Sequence, residues 1–182
     1  APQEPGLYPL RIAERETGEV IRLNAFVKVP YTPDQTVLNG YRIGRYEPEP
    51  LRGDPLYLPP NGFVELTAEN RDVLVSPHFT LGQFAAKQAG DYPKYLVLRT
   101  RLLLKLERLL QAVNARGVHA RTFHVMSGFR TPFYNRSIGN ETSYSRHLFG
   151  GAADIFVDEN GDGRMDDLDG DGRVSVADAR TL

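Results

Sequence analysis

The 182-residue chain contains no cysteine. That excludes disulfide scaffolds, thiol nucleophiles and cysteine-ligated zinc or iron–sulfur centres. It leaves the compartment open, because an exported protein can do without disulfides. No run of about 18 apolar residues exists, so no transmembrane helix is expected. No signal peptide is visible, and Ala1-Pro2-Gln3-Glu4-Pro5 reads as a processed or trimmed start. Histidine is scarce: His78, His119, His124 and His147 are the four, and none follows Asp154.

What remains is ordinary globular composition, 41% hydrophobic and 25% charged. A folded chain of this mass should expose roughly 8,800 Å² and bury a real core. The net charge of −1 is unevenly spread. Residues 154–178 carry nine acids against Arg164 and Arg173, a net −7, which leaves the remainder at +6. So dense an acidic stretch repels itself unless water, arginines or cations relieve it. The balance gives no reason to expect a nucleic-acid partner.

Ten of the thirteen prolines fall in residues 1–60. This part predicts a small β-rich section over 1–74, with strands at Val20–Val29, Tyr41–Tyr46 and Gly62–Leu66. The Pro-rich stretch Glu47–Pro60 is the expected soft boundary. Beyond residue 75 the pattern changes. Thr80-Leu81-Gly82-Gln83 is a capping box flanked by Phe79 and Phe84 as a staple, so a helix should begin there. Leu96–Ala115 has leucines at helical spacing and Gly117 to end it. Arg121–Met126 reads as a strand, Thr131-Pro132 as a helix start, and Ala152–Val157 as a buried strand after Gly150-Gly151.

The strongest chemical signal is Ser145-Arg146-His147-Leu148-Phe149-Gly150-Gly151-Ala152-Ala153-Asp154. A histidine on a loop precedes an aspartate on an apolar strand, with small residues between them. Imidazole nitrogen and carboxylate oxygen form a partial zinc ligand set. They could equally make a His–Asp hydrogen bond within a core. Asp154 should in any event meet a metal or an arginine, because an unpaired carboxylate in an apolar strand is costly.

The pattern Ser-x-His-x-x-Gly-x-Ala-x-Asp, filled by Ser145, His147, Gly150, Ala152 and Asp154, resembles the signature of zinc D-Ala-D-Ala carboxypeptidases. These share a superfamily with lysostaphin-type endopeptidases and hedgehog domains. Upstream, Ser127-Gly128-Phe129-Arg130-Thr131-Pro132-Phe133-Tyr134-Asn135 is similar to their Ser-Gly-Tyr-Arg-Thr-Pro-x-x-Asn segment, with Phe129 for tyrosine. The resemblance spans about residues 75–157. It implies that His147 and Asp154 are two of three zinc ligands, that Arg130 is the catalytic arginine binding substrate and oxyanion, and that Ser145 orients the loop from behind the ligands. Asn135 is a turn or cap residue or a substrate contact. The family takes its third ligand from a later His-x-His or similar segment, next to the general base. This sequence has no such histidine, which is expected either of a sequence that stops short of that segment or of a non-catalytic relative. His124 is the one alternative ligand on a strand leading towards Arg130, whereas His78 and His119 read as loop residues.

A second signal lies in the acidic stretch. Asp167, Asp169, Asp171, Arg173, Ser175 and Asp178, with Gly172 at the turn, occupy the ligand positions of a twelve-residue calcium loop. The segment resembles EF-hand and dockerin loops. An overlapping loop runs through Asp158, Asn160, Asp162, Arg164, Asp166 and Asp169. Because the loops share residues 167–169, one calcium, two with shared ligands, or a solvated acidic loop are the alternatives.

The expected fold is α+β: an antiparallel sheet with flanking helices, as the resemblance implies, behind a β-rich extension. Expected segments are 1–74, the peptidase core 75–157, and the acidic segment 158–182. The resemblance implies a zinc-dependent peptidase acting on peptidoglycan stem peptides beside D-alanine, hence exported to the periplasm or bacterial cell surface. The alternatives are a non-catalytic peptidoglycan-binding relative and a calcium-dependent structural or docking module. Oligomeric state is not written in the sequence.

Overall fold

A computed structural model describes residues 2–181; the extreme ends of the two terminal segments read above, Ala1 and Leu182, lie outside the described residues. The chain opens with an antiparallel ribbon, Gly6–Ala13 (β1) on Val20–Val27 (β2). The second strand was expected; the first, interrupted by Pro9, was not. Register places Leu10 opposite Leu23 and Ile12 opposite Ile21 on one face, and all four are exposed. Most of the ribbon is exposed, and it meets the body through Asn24, which donates to the Leu74 carbonyl at 3.0 Å, and Phe26, which packs on the core. It helps explain an accessible surface of 11605 Å², well above the roughly 8,800 Å² of a rounded chain of this mass.

Short strands follow: Val29–Pro30 (β3), Val37–Leu38 (β4), Tyr41–Arg42 (β5), Gly62–Leu66 (β6), Leu74–Ser76 (β7), Phe79–Thr80 (β8) and Lys94–Leu96 (β9). Then come a helix Thr100–Asn114 (α1), a strand Phe123–Ser127 (β10), a short helix Pro132–Ser137 (α2), a strand Asp154–Val157 (β11) and a helix Val176–Thr181 (α3). The α+β class expected from the sequence is present. Among the described residues the strands form several small antiparallel sheets, with orders β1-β2, β3-β6-β9, β4-β5, β7-β8 and β10-β11, where the sequence reading had one sheet.

Local differences have local causes. The strand expected over Tyr41–Tyr46 ends at Arg42, because the Ile43 and Gly44 amides both turn back to the Thr36 carbonyl. The capping box at Thr80 forms, its backbone N–H donating to Gln83 Oε1 at 2.8 Å, and Phe79 and Phe84 lie ring to ring at 6.0 Å. It starts a single 3-10 turn, Leu81–Phe84. Tertiary bonds take over from the helix there: Gly82 N–H donates to the Arg71 carbonyl, and the Phe84 carbonyl accepts from Phe129 N–H. The long helix starts at Thr100 because Leu96 is spent in β9. Its buried stripe is Leu102, Leu103, Leu106, Leu110 and Val113, while Leu109 is 39% exposed.

One hydrophobic cluster runs through the chain. It joins Tyr31, Ile43 and Phe63 from the first third to Phe84, Phe123 and Phe129 from the middle. The Pro-rich stretch joins this packing. Tyr57 meets the rings of Tyr144 and Phe149 edge-on, and Tyr46 donates its hydroxyl to the Leu148 carbonyl at 2.9 Å.

Candidate active site

The site is built where β10 meets β11. Phe123 and Val125 point into the core, and the alternation would send Ser127 the same way. A register irregularity between Val125 and Ser127 breaks that alternation and sets Ser127 opposite Asp154. The chain then passes through Gly128, where a Cβ would lie 2.6 Å from Phe84 Cα, so only glycine lets the segment run this close. Arg130 follows. Its Nε donates to Ser127 Oγ at 2.8 Å and its terminal nitrogen to Asp154 Oδ2 at 2.9 Å. Its side chain is 14% exposed, against 43% for Asp154. The expectation that an arginine or a metal should meet Asp154 therefore has its arginine. The strand carrying Asp154 is half-buried rather than buried, since only Val157 is fully covered.

His147 sits in a 3-10 turn, Arg146–Phe149, whose Ser145 carbonyl accepts from Leu148 N–H. The Ser145 hydroxyl does not cap that turn. Gly150 closes it in the left-handed conformation at φ 65°. His147 Nδ1 lies 2.7 Å from the Gly128 carbonyl. A carbonyl can only accept, so Nδ1 carries a proton, and in the neutral imidazole the lone pair is therefore on Nε2. Nε2 faces Asp154, at 3.5 Å from Oδ1. A ligating histidine is held in the same way, its second nitrogen tied to a backbone carbonyl.

The two motifs thus converge as read, bringing Arg130, His147 and Asp154 together. His124 goes elsewhere: it stacks on Phe156 at 4.4 Å and turns to Asp158 at 3.7 Å. His78 pairs with Glu107 at 2.6 Å, and the His119 amide donates to Glu159. Asn135 is buried and donates to the Asn140 and Thr142 carbonyls, so it ties a turn. Three contributors went unread. Ser127 was inside the motif, and its spacing of three from Arg130 was the available signal. Tyr46 and Arg99, which donate to the Leu148 and Phe149 carbonyls and so brace the His147 loop, lie 102 and 50 residues from their acceptors and leave no local signal.

The acidic stretch folds as two successive turns. Asp158 accepts from the Asp162 and Gly163 amides, Asn160 from Asp162 and Asp162 from Arg164; Asp166 accepts from the Glu159 amide. Asp167 likewise accepts from Gly170 and Gly172, Asp169 from Asp171 and Asp171 from Arg173. Carboxylate oxygens of Asp167, Asp169 and Asp171 lie within 4.8 Å of one another, so this trio could hold a metal. The Asp171 amide lowers the Asp169 pKa. Partial desolvation and the Asp171, Asp178 and Asp167 carboxylates outweigh it and hold that carboxyl above its ordinary value. Asp178 behaves oppositely. It accepts from the Ser175, Leu168 and Asp169 amides, which together hold its carboxyl below the usual range despite desolvation. Asp178→Ala would orphan three amides at once. Hydrogen exchange should then show Leu168, Asp169 and Ser175 losing protection, with Val157 unaffected; unchanged protection would mean those bonds do not hold the segment.

Comparison with known proteins accords with this geometry. Residues 77–168 match the family model described as Peptidase M15, and the chain belongs to that family. Membership of that family implies zinc. No curated protein and no solved structure matches the chain.

Proposed function

We propose that this chain carries the substrate-facing part of a zinc-dependent peptidase acting on the stem peptides of bacterial peptidoglycan, beside D-alanine. The observation carrying this reading is the presentation of His147 Nε2 towards Asp154 Oδ1, with Nδ1 tied to the Gly128 carbonyl, within a match to the Peptidase M15 family. The donor set fits zinc in part. Imidazole nitrogen and carboxylate oxygen are two proper ligands, and among the described residues no third histidine or carboxylate joins them. When bound, zinc would polarise the scissile carbonyl and acidify a water. The chain's own residues have other work. Asp154 divides its oxygens, Oδ2 to Arg130 and Oδ1 towards His147. Arg130 spends two of its N–H groups on Ser127 and Asp154, and the rest are available to a substrate carboxylate or a developing oxyanion. Such a substrate would place the protein in the periplasm or at the cell surface.

The test is incubation with a pentapeptide ending in D-Ala-D-Ala plus zinc, with released D-alanine read by mass spectrometry. Release that a chelator abolishes is expected of the peptidase. The two-donor set favours a second reading, a relative that holds the peptide without cutting it; saturable peptide binding with no release, at full zinc occupancy, would establish that one instead.

We further propose that the acidic stretch binds calcium at Asp167, Asp169 and Asp171, aided by Arg173, Ser175 and Asp178. The support is the convergence of three carboxylates and the repulsion felt by Asp169, which a cation would relieve. Calcium that binds only the folded chain raises Tm by mass action, by about 2.7 kcal/mol of stability at a hundredfold excess over Kd. Melting with calcium and with chelator should differ, and Asp171→Ala should erase the difference. Equal melting temperatures would make the stretch a solvated acidic loop. Loss of the effect only in Asp162→Ala would move the site to residues 158–169.

A further inference from the structure

The ribbon of β1 and β2 has two unlike faces. On one, Phe26 packs on the core and Asn24 donates to the Leu74 carbonyl, so that face turns to the body. The same face sets Arg11 directly opposite Arg22. The other face looks away. There Leu10 pairs with Leu23 and Ile12 with Ile21, on successive rungs, and these four side chains are between 45% and 58% exposed. A single exposed leucine is ordinary, but four aliphatic groups in one contiguous block mark a contact surface. A two-stranded ribbon is also marginal in water by itself and gains stability from whatever is laid on its apolar face.

Charge narrows the choice of occupant. Within the ribbon Arg11, Arg15 and Arg22 are balanced by Glu14, Glu16 and Glu19, and the aliphatic face carries no charged residue. Neither an acidic polymer nor an anionic lipid surface is drawn to a neutral element. A twofold contact, by contrast, places the same neutral, apolar face on both sides and so is complementary to itself. Addition of a strand at the edge is interrupted on the β1 side, because Pro9 has no N–H to offer it. The contact is therefore face to face.

Area agrees in scale. The chain exposes about 2,800 Å² more than a rounded chain of its mass, and a standard interface removes about 800 Å² from each partner. Eight-residue strands run about 27 Å, so one ribbon face supplies roughly several hundred Å² of that. Such a contact is reversible, with a Kd on the order of 10 µM.

We infer that the aliphatic face of this ribbon is a dimerisation surface: it packs on the same face of a second copy about a twofold axis, so that Leu10, Ile12, Ile21 and Leu23 of both chains form one small core. The inference stands apart from the peptidase reading. Sedimentation equilibrium of the full chain should show the mass rising from one chain to two as concentration passes the Kd. Ile12→Glu and Ile21→Glu should each raise Kd at least about a hundredfold, because the twofold axis makes each substitution count twice. Arg11→Gln, on the other face, should leave Kd where it is. A second measurement needs none of these variants. The chain has no cysteine, so Glu16→Cys beyond the end of β1 gives one site for a nitroxide. Mixed with an unlabelled copy, it should broaden the amides of that copy's ribbon before any others. A single-chain mass at about a hundredfold above the expected Kd would overturn the inference, as would dimers that survive both glutamate substitutions or broadening centred outside the ribbon. Binding of a monomeric chain to phosphatidylglycerol vesicles, lost in Ile12→Glu, would overturn it too and make the face a membrane contact.

Discussion

Gly150→Ala is expected to cost at least about 3 kcal/mol and to lower Tm by roughly 10 °C for a chain of this length. Two independent costs meet at this position. Its φ of 65° is a left-handed conformation that a side chain tolerates poorly. Its missing Cβ would also lie 2.2 Å from the Val97 carbonyl oxygen and 2.5 Å from the carbonyl carbon. Relief by moving the loop is blocked, because the Gly150 carbonyl accepts from Arg99 N–H at the head of α1. Gly161 is the control. It has φ 75° with nothing within 4 Å of a Cβ, so Gly161→Ala should show only the conformational cost of about 1 kcal/mol. Thermal melts of the two variants separate the terms. Equal Tm values for Gly150→Ala and Gly161→Ala would mean that the close approach to Val97 does not hold the loop.

The second large effect is on chemistry. On the proposed peptidase reading, Arg130→Ala should lower peptide turnover by about 10²–10³-fold, the range for losing one preorganised oxyanion donor. Losing that guanidinium also frees Asp154 Oδ2 and Ser127 Oγ, its two present partners. Asp154 would then be free to swing, so the positioning of the ligand pair should loosen with the loss of the charge. Arg130→Lys should recover little, since an ammonium cannot span Ser127 and Asp154 as the planar fork does. Zinc content measured alongside separates the roles. Retained zinc with lost turnover assigns Arg130 to the substrate, lost zinc assigns it to holding Asp154, and full turnover in Arg130→Ala would remove it from the mechanism.

How far the sequence disclosed all this depended on range. Motif residues were legible because their chemistry is local: Thr131 caps α2 through the Tyr134 amide, and His147 and Asp154 meet across seven positions. The leucine stripe of α1 was legible because helical spacing is a strong signal. Failures came where distant backbone partners decided the outcome. The capping box at Thr80 is satisfied, yet the helix stops after one turn because Phe84 is bonded to Phe129. Tyr41 looked like the start of a six-residue strand until the Thr36 carbonyl drew the chain aside. The orientation of the His147 ring rests on the Gly128 carbonyl, nineteen residues away, and no pattern in the intervening sequence announces it.

The bond from Tyr46 to the Leu148 carbonyl spans 102 residues, and that from Tyr144 to the Glu49 carbonyl spans 95. Both tie the proline-rich third to the loop that bears His147. Contacts of such separation form late and slow a folding reaction, because long loops must close before they are rewarded. On a ribosome, the first third is therefore made well before the residues at 144–149 that Tyr46 and Tyr57 pack against. The order of synthesis thus makes the loop that bears His147 the last piece to close over the N-terminal core.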